Sequence, residues 1–178
     1  LNHNKVFSIT KDSHYNLWFG VDPPQLTVFR YTKAQAEHIS GMDVWHRLNL
    51  KGGTVRQLFT DMDGVFWVAT YDGGLQYFDE TTNRFDGYLH SDNDTTSIMG
   101  NDIKALANDN AGNLWLAVHG KGVDMFDRNS QKFVHYTPEN NHLSNPWTND
   151  IICDKKGRVW VTSGWGLSML PKGSDKFK

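Results

Sequence analysis

The chain has 178 residues, of which 38% are hydrophobic and 13% are aromatic, which is enough apolar surface for a buried core. Lysine and arginine number 18 against 20 aspartates and glutamates, so the net charge of −2 gives no electrostatic reason to expect a nucleic-acid partner. Cys153 is the only cysteine, which excludes an internal disulfide and a zinc site built on several thiolates. No stretch has the roughly 18 continuous apolar residues of a membrane helix or the pattern of a signal peptide. Any export or anchoring segment is therefore expected outside these residues.

Four tryptophans recur in one local context, at intervals of 49, 48 and 45 residues: Trp18, Trp67, Trp115 and Trp160. Periods in the forties are typical of propeller blades and also of helical repeats of the HEAT or armadillo kind. No segment keeps the 3.6-residue period of an amphipathic helix for more than a turn or two, which excludes the helical repeats. We predict that the four tryptophans have a structural role and fill the wedge between neighbouring sheets.

The residues before each tryptophan predict a tight hairpin. An aspartate stands six residues before it, namely Asp12, Asp61, Asp109 and Asp154. A glycine stands three residues before it in three copies, and Tyr15 takes this place in the first copy. The carboxylate can accept backbone N–H groups across the turn, and glycine adopts the positive φ that closes it. The first turn is therefore expected to be longer or more strained than the others.

The predicted strands follow the same order in each unit. The first strand ends near the aspartate, the second holds the tryptophan, and the third ends at Phe29, Phe78, Phe126 or Leu170. The fourth strand is predicted at Trp45–Leu48, Phe85–Tyr88 and Phe133–Tyr136, and it begins at Phe177 in the last unit. The predicted blades span about 3–50, 51–99, 100–146 and 147–178, the last being incomplete.

These elements predict an all-β fold made of β-propeller blades, each with four antiparallel strands. A lone four-stranded sheet cannot bury both faces, so the blades must stack round a common centre. Because propellers have about four to eight blades, we expect either a part of a larger ring or a chain whose open edges pair with another copy.

The repeated order D-x-x-G-x-x-W, G-L-x-x-F-D and F-x-x-Y resembles the two-component regulator propeller repeat. It stands at Asp61–Trp67, Leu75–Asp79 and Phe85–Tyr88, and again from Asp109 onward. The resemblance implies part of a seven-bladed propeller in the periplasmic sensor region of a membrane-anchored hybrid histidine kinase. It also implies oligosaccharide ligands and control of the transcription of glycan-utilisation genes. The first unit departs most from the pattern, because it has Asp22-Pro-Pro where the others have a glycine-rich loop.

A ligand site is predicted where the loops joining strands two and three meet the links between blades, because both emerge on one face of a propeller. These segments offer aromatic rings beside hydrogen-bonding groups, a mixture that suits sugars. The candidate ligand-binding residues are Tyr71, Asp72, His119, Lys121, His142, Trp147, Asn149 and Trp165.

Catalytic residues, a metal site and a cofactor are not predicted. Asp92-Asn-Asp94 lacks the glycine and the distal glutamate of a calcium loop and is interpreted as a solvated turn. Three functions remain in competition: an oligosaccharide sensor, a scaffold for protein partners or self-association, and a propeller lyase or hydrolase. Only His119 with Asp72 could supply the acid and base for the third.

Overall fold

The computed structural model describes residues 5–21, 27–31, 46–50 and 52–178. The predicted loop at Asp22-Pro-Pro and the predicted strand start at Trp45 lie outside the described residues. No helix in the described ranges is long and apolar enough to cross a membrane.

Consecutive strands pair antiparallel in four separate sheets, which confirms the predicted all-β blades. The first sheet contains β1 (Val6–Lys11), β2 (Leu17–Val21), β3 (Thr27–Tyr31) and β4 (His46–Asn49). The second contains β5 (Val55–Thr60), β6 (Phe66–Thr70), β7 (Leu75–Asp79) and β8 (Arg84–Tyr88). The third contains β9 (Ile103–Asn108), β10 (Leu114–Val118), β11 (Gly122–Asp127) and β12 (Lys132–Tyr136).

The fourth sheet contains β13 (Thr148–Cys153), β14 (Val159–Ser163) and β15 (Gly166–Leu170). Lys178 exchanges two backbone hydrogen bonds of 2.9 Å with Met169, in the position that a fourth strand takes in the other sheets. A short helix, α1 (Pro138–Asn141), lies in the link between the third and fourth sheets.

One hydrogen-bond network explains the spacing of aspartate and tryptophan in every hairpin between the first two strands. In the third sheet, Asp109 Oδ1 accepts the backbone N–H groups of Ala111 and Asn113 at 2.8 and 3.0 Å. Its Oδ2 accepts the indole Nε1–H of Trp115 at 2.9 Å. The carboxylate therefore closes the turn and fixes the tryptophan ring at once.

The same indole bond joins Trp18 to Asp12, Trp67 to Asp61 and Trp160 to Asp154. In the last hairpin, the hydrogen bonds from the Trp160 indole and from Arg158 hold the pKa of the Asp154 carboxyl well below its usual range. Sequence reasoning predicted the backbone bonds of the aspartate but not its bond to the indole.

The first hairpin keeps the same length as the others, and the strain falls on one residue. Tyr15 has φ of +64°, in the left-handed region that Gly64 and Gly112 occupy in the other turns. A residue with a Cβ atom adopts this conformation at a cost. Of the two expected outcomes, a longer turn or a strained one, the structure has the strained turn.

Trp18, Trp67 and Trp115 each face the next sheet along the chain. The Trp18 ring stacks on Phe66 at 4.0 Å between centroids, and the Trp67 ring contacts the edge of Phe126 at 5.9 Å. Trp18, Trp67 and Trp115 are buried, whereas Trp160 is only partly buried, with Arg158 over its ring at 5.0 Å. Trp160 differs because it belongs to the last sheet, and no further sheet of this chain follows it.

The first strands of neighbouring sheets contact one another and form the inner side of the assembly. Ser8 Oγ accepts the backbone N–H of Leu58, and Gln57 Oε1 accepts that of Leu106, so side chains of one first strand bind the backbone of the next. The aspartate hairpins lie at one end of these strands, which we call the hairpin end. The loops between strands two and three lie at the other, which we call the loop end.

Candidate functional site

Every first strand begins with a β-bulge at the same repeat position. The register of the pairing with the second strand skips one residue, and this extra residue is Phe7, Arg56, Lys104 or Asn149. A bulge leaves its extra residue out of the ladder and redirects its side chain. Four different side chains are thus placed at the loop end of the inner strands, and only Asn149 was among the predicted site residues.

Backbone hydrogen bonds hold the loops between strands two and three against the links that precede the blades. Tyr71 N–H donates to Thr54 O at 2.9 Å, and His119 N–H donates to Asp102 O at 2.9 Å. Trp147 forms an isolated β-bridge with His119. The structure therefore has the loops between strands two and three and the links between blades at one end, as predicted.

A cleft of about 600 Å³ opens at the loop end across the second, third and fourth blades. Its lining residues are Arg56, Tyr71, Asp72, Asn101, Asp102, Lys104, His119 and Trp147. We call it the loop-end cleft. Its volume lies in the range of small-molecule sites.

Two exposed aromatic rings lie in this cleft. Tyr71 is 51% exposed and Trp147 is 56% exposed. The Trp147 ring meets the edge of His119 at 5.0 Å and lies against Gly120, where an added Cβ would come within 3.2 Å of the ring. These contacts fix the indole while leaving part of its surface open to a ligand.

The polar groups of the cleft are also fixed by the protein. The Arg56 guanidinium lies 5.0 Å from the centre of the Tyr71 ring, and Arg56 Nε lies 3.5 Å from Asp102 Oδ1. Asp72 accepts the backbone N–H of Gly53. His119 Nδ1 lies 3.1 Å from Thr148 O, and because a carbonyl only accepts, Nδ1 donates a proton in this bond.

The structure brings together four of the eight predicted ligand-binding residues, Tyr71, Asp72, His119 and Trp147. The other four do not line the cleft. Asn149 is exposed at its bulge, and Lys121 lies with its aliphatic chain over Gly100. His142 is an exposed left-handed residue after α1, and Trp165 is 82% exposed at the tip of its hairpin.

Sequence reasoning missed Arg56, Lys104, Asn101 and Asp102. Arg56 and Lys104 stand eleven residues before Trp67 and Trp115, and this fixed spacing is the signal that could have identified them. The described residues contain no group of three or more metal-ligating side chains. The His119 and Asp72 pair is present in the cleft, but each residue already has a hydrogen-bond partner in the protein.

A second groove, of about 380 Å³, lies at the hairpin end between the third and fourth blades. Its floor contains Trp115, Tyr136, Val159 and Leu170, and it is mostly apolar. At the equivalent seam between the second and third blades, Arg128 reaches across to Asp61 and Asp63. We interpret the groove as a packing seam, since its lining is mostly apolar.

The fold and the cleft define a partial β-propeller with a loop-end site. Residues 49–72 match the model of the two component regulator propeller family, which confirms the resemblance seen in the repeat. No curated protein matches the chain.

Solved structures with the same fold include extracellular domains of bacterial two component systems. The domain assigned to the hybrid system BT3049 of B. thetaiotaomicron is 24% identical, with a TM-score of 0.79 over 100% of this chain and 25% of that one. The domain assigned to the hybrid system BT4673 of the same organism is 22% identical, with a TM-score of 0.78 over 98% of this chain and 25% of that one. The chain thus spans about a quarter of the length of these two structures.

The fold is shared with an enzyme as well. Virginiamycin B lyase from Staphylococcus aureus is 14% identical, with a TM-score of 0.69 over 97% of this chain and 54% of that one. At these identities, the likeness to all three structures concerns the fold alone.

Proposed function

We propose that the chain is part of the extracellular, periplasmic sensor region of a membrane-anchored hybrid histidine kinase. In this proposal the loop-end cleft binds an oligosaccharide, and binding changes the transcription of glycan-utilisation genes. The family match at residues 49–72 and the likeness to extracellular domains of two component systems support the sensor role.

The observation that carries the ligand class is the pairing of exposed rings with fixed polar groups in one cleft. The C–H faces of a sugar pack on rings such as Tyr71 and Trp147, while its hydroxyls exchange hydrogen bonds with groups such as Asn101 and His119. Because the protein already holds these side chains in place, little entropy is lost on binding.

A glycan array probed with the full-length extracellular region tests this proposal. We expect at least one oligosaccharide to bind without turnover, and Trp147→Ala to lower its affinity about tenfold or more, in line with the loss of a buried aromatic contact. Trp165→Ala is the matched control, since Trp165 is an exposed indole at the same end of the blades but outside the cleft.

Two results would contradict the proposal: no glycan binds, or the two tryptophan variants lose affinity equally. A protein partner captured in place of any glycan would support the scaffold hypothesis instead. Release of a modified sugar product would favour the lyase or hydrolase hypothesis. The fold is compatible with it, because virginiamycin B lyase has the same fold.

A further inference from the structure

We propose that the ligand of the loop-end cleft carries an acidic group, a carboxylate or a sulfate, which Arg56 and Lys104 bind together. This inference rests on the proposed function, because it names the class of oligosaccharide that the cleft selects.

The first argument is the placement of the two cations. Arg56 and Lys104 occupy the same bulge position on the neighbouring inner strands β5 and β9, and both line the cleft. A bulge interrupts the ladder and costs pairing, and here two successive bulges direct a positive charge towards one space. The equivalent residues in the outer two blades, Phe7 and Asn149, carry no charge.

The second argument is the state of the Arg56 side chain. The guanidinium lies over the Tyr71 ring at 5.0 Å, and its Nε lies 3.5 Å from Asp102 Oδ1, so two contacts restrict its position. Within the described residues Arg56 makes no hydrogen bond, and Nε together with Asp102 Oδ1 is buried without a hydrogen-bond partner. A guanidinium fixed in this way, with its terminal nitrogens unbonded, is suited to bind a carboxylate or sulfate through two parallel hydrogen bonds.

The third argument concerns the balance of charge. The cleft contains two cations and two carboxylates, so their formal charges cancel; Asp102 lies beside Arg56, and Asp72 keeps its charge while it accepts the Gly53 N–H. Lys104 has no ion pair or hydrogen bond with any residue that the structure describes. Its ammonium therefore remains available to an anionic group of the ligand, and the Arg56 guanidinium, beside Asp102, can add hydrogen bonds through its terminal nitrogens.

The experiment compares matched ligands by titration calorimetry on the full-length extracellular region. The probes are oligosaccharides of galacturonic acid and glucuronate-containing glycosaminoglycan oligosaccharides, each beside its own carboxyl-reduced form, in which every carboxylate has become a primary alcohol. We expect one acidic probe to bind about 10 to 100 times more tightly than its reduced form, as charge-assisted hydrogen bonds imply. The affinity should fall as salt is raised, since exposed ion pairs are screened.

Variants assign the effect to the two cations. Arg56→Gln and Lys104→Gln should each lower the affinity for the acidic probe by a larger factor than the affinity for the reduced form, and so remove most of the preference. Arg56→Lys keeps the positive charge but loses the two parallel N–H donors of the guanidinium, so an intermediate preference for the acidic probe is expected. This variant also replaces Arg56→Gln if the latter does not fold. Lys156→Gln, in the hairpin turn at the opposite end, should have no effect.

Failure of this inference differs from failure of the proposed function. If a neutral glycan binds and Trp147→Ala weakens it, but acidic and reduced probes bind equally, the cleft binds oligosaccharides and the acidic specificity is wrong. If a preference for acid exists but Lys156→Gln abolishes it as fully as Lys104→Gln, the assignment to the bulge residues is wrong. If neither acidic nor neutral glycans bind, both proposals fall.

Discussion

The two ends of the blades are built differently although the same strands form both. At the hairpin end, four aspartates make the same bonds to two backbone N–H groups and to an indole. At the loop end, the same register position carries Phe7, Arg56, Lys104 or Asn149 in turn. The hairpin end thus repeats one bonding pattern in every blade, whereas the side chains at the loop end differ from blade to blade.

The largest expected effect on the free energy of unfolding lies at the hairpin end. Asp109→Ala removes the acceptor of two backbone N–H groups and of the Trp115 indole. Leaving these donors unpaired is expected to lower the free energy of unfolding by about 3 kcal/mol. Urea titration followed by tryptophan fluorescence measures it.

Asp127→Ala is the control for that variant, because Asp127 also accepts backbone N–H groups, of Asn129 and Ser130, but in an exposed turn without an indole. Asp127→Ala should lower the free energy of unfolding by about 1 kcal/mol or less. Equal losses in the two variants would show that the indole network is not what holds the blades.

The link that supplies Asn101 and Asp102 to the cleft depends on an ionisable pair. Buried Asp124 accepts the Met99 N–H at 2.8 Å through Oδ2, and its Oδ1 lies 2.6 Å from Nδ1 of His135, whose Nε2 lies 2.9 Å from Thr95 O. The hydrogen bond with Asp124 raises the pKa of His135, and burial raises the pKa of Asp124. Both shifts mean that the folded pair binds its proton more tightly than the unfolded chain does.

The sign of the pH dependence follows from these two shifts. The stabilisation is fully present below pH 6.5, the ordinary pKa of histidine, and is lost as the pH rises through the raised pKa of His135. His135→Gln should cost about 1 to 2 kcal/mol below pH 6.5 and progressively less at higher pH. Unfolding of both proteins across this range measures the difference, with His142→Gln as the control at an exposed histidine. A constant difference at every pH would refute the proton linkage.

A smaller effect is expected at the odd turn of the first blade. Because Tyr15 has φ of +64°, Tyr15→Gly should raise the free energy of unfolding by up to about 1 kcal/mol, despite the loss of the contact between Lys11 and the Tyr15 ring. Gly112→Ala should lower it by a similar amount, because the added Cβ has room at 3.6 Å but the φ of +88° is unfavourable. Thermal denaturation of both variants checks the opposite signs, and shifts in the same direction would contradict the account of the turn.

The smallest effect on stability is expected at the loop end. Lys104→Gln and Trp165→Ala remove side chains that hold no described hydrogen bond or buried contact, so each should change the free energy of unfolding by less than about 0.5 kcal/mol. A loss near that of Asp109→Ala would mean that the loop end also supports the fold. Denaturant titrations beside the binding assays separate the two roles.

The spacing of residues in the sequence predicted much of the fold, but it did not predict all the residues that line the cleft. The Asp109 to Trp115 interval predicted the hairpin because its hydrogen bonds are local, and Tyr71 and Trp147 were found because they stand in predicted loops. Arg56 and Lys104 were missed because they lie inside predicted strands, and a bulge is a property of pairing register that one strand's sequence does not display.

Three of the four predicted residues that lie outside the cleft do so for a related reason. Lys121, His142 and Trp165 were chosen from loops at the correct end of the blades, but the direction of a loop side chain depends on the backbone conformation of that loop. His142, with φ of +59°, and Trp165, at a hairpin tip, are placed by such conformations.

Hydrogen exchange of the full-length extracellular region, with and without the oligosaccharide that the array selects, tests most directly whether the two ends have separate roles. The account predicts slower exchange at 52–56, 71–74, 101–104 and 119–122 with bound ligand, and no change at the turns 61–65, 109–113 and 154–158. Protection confined to those turns would contradict it.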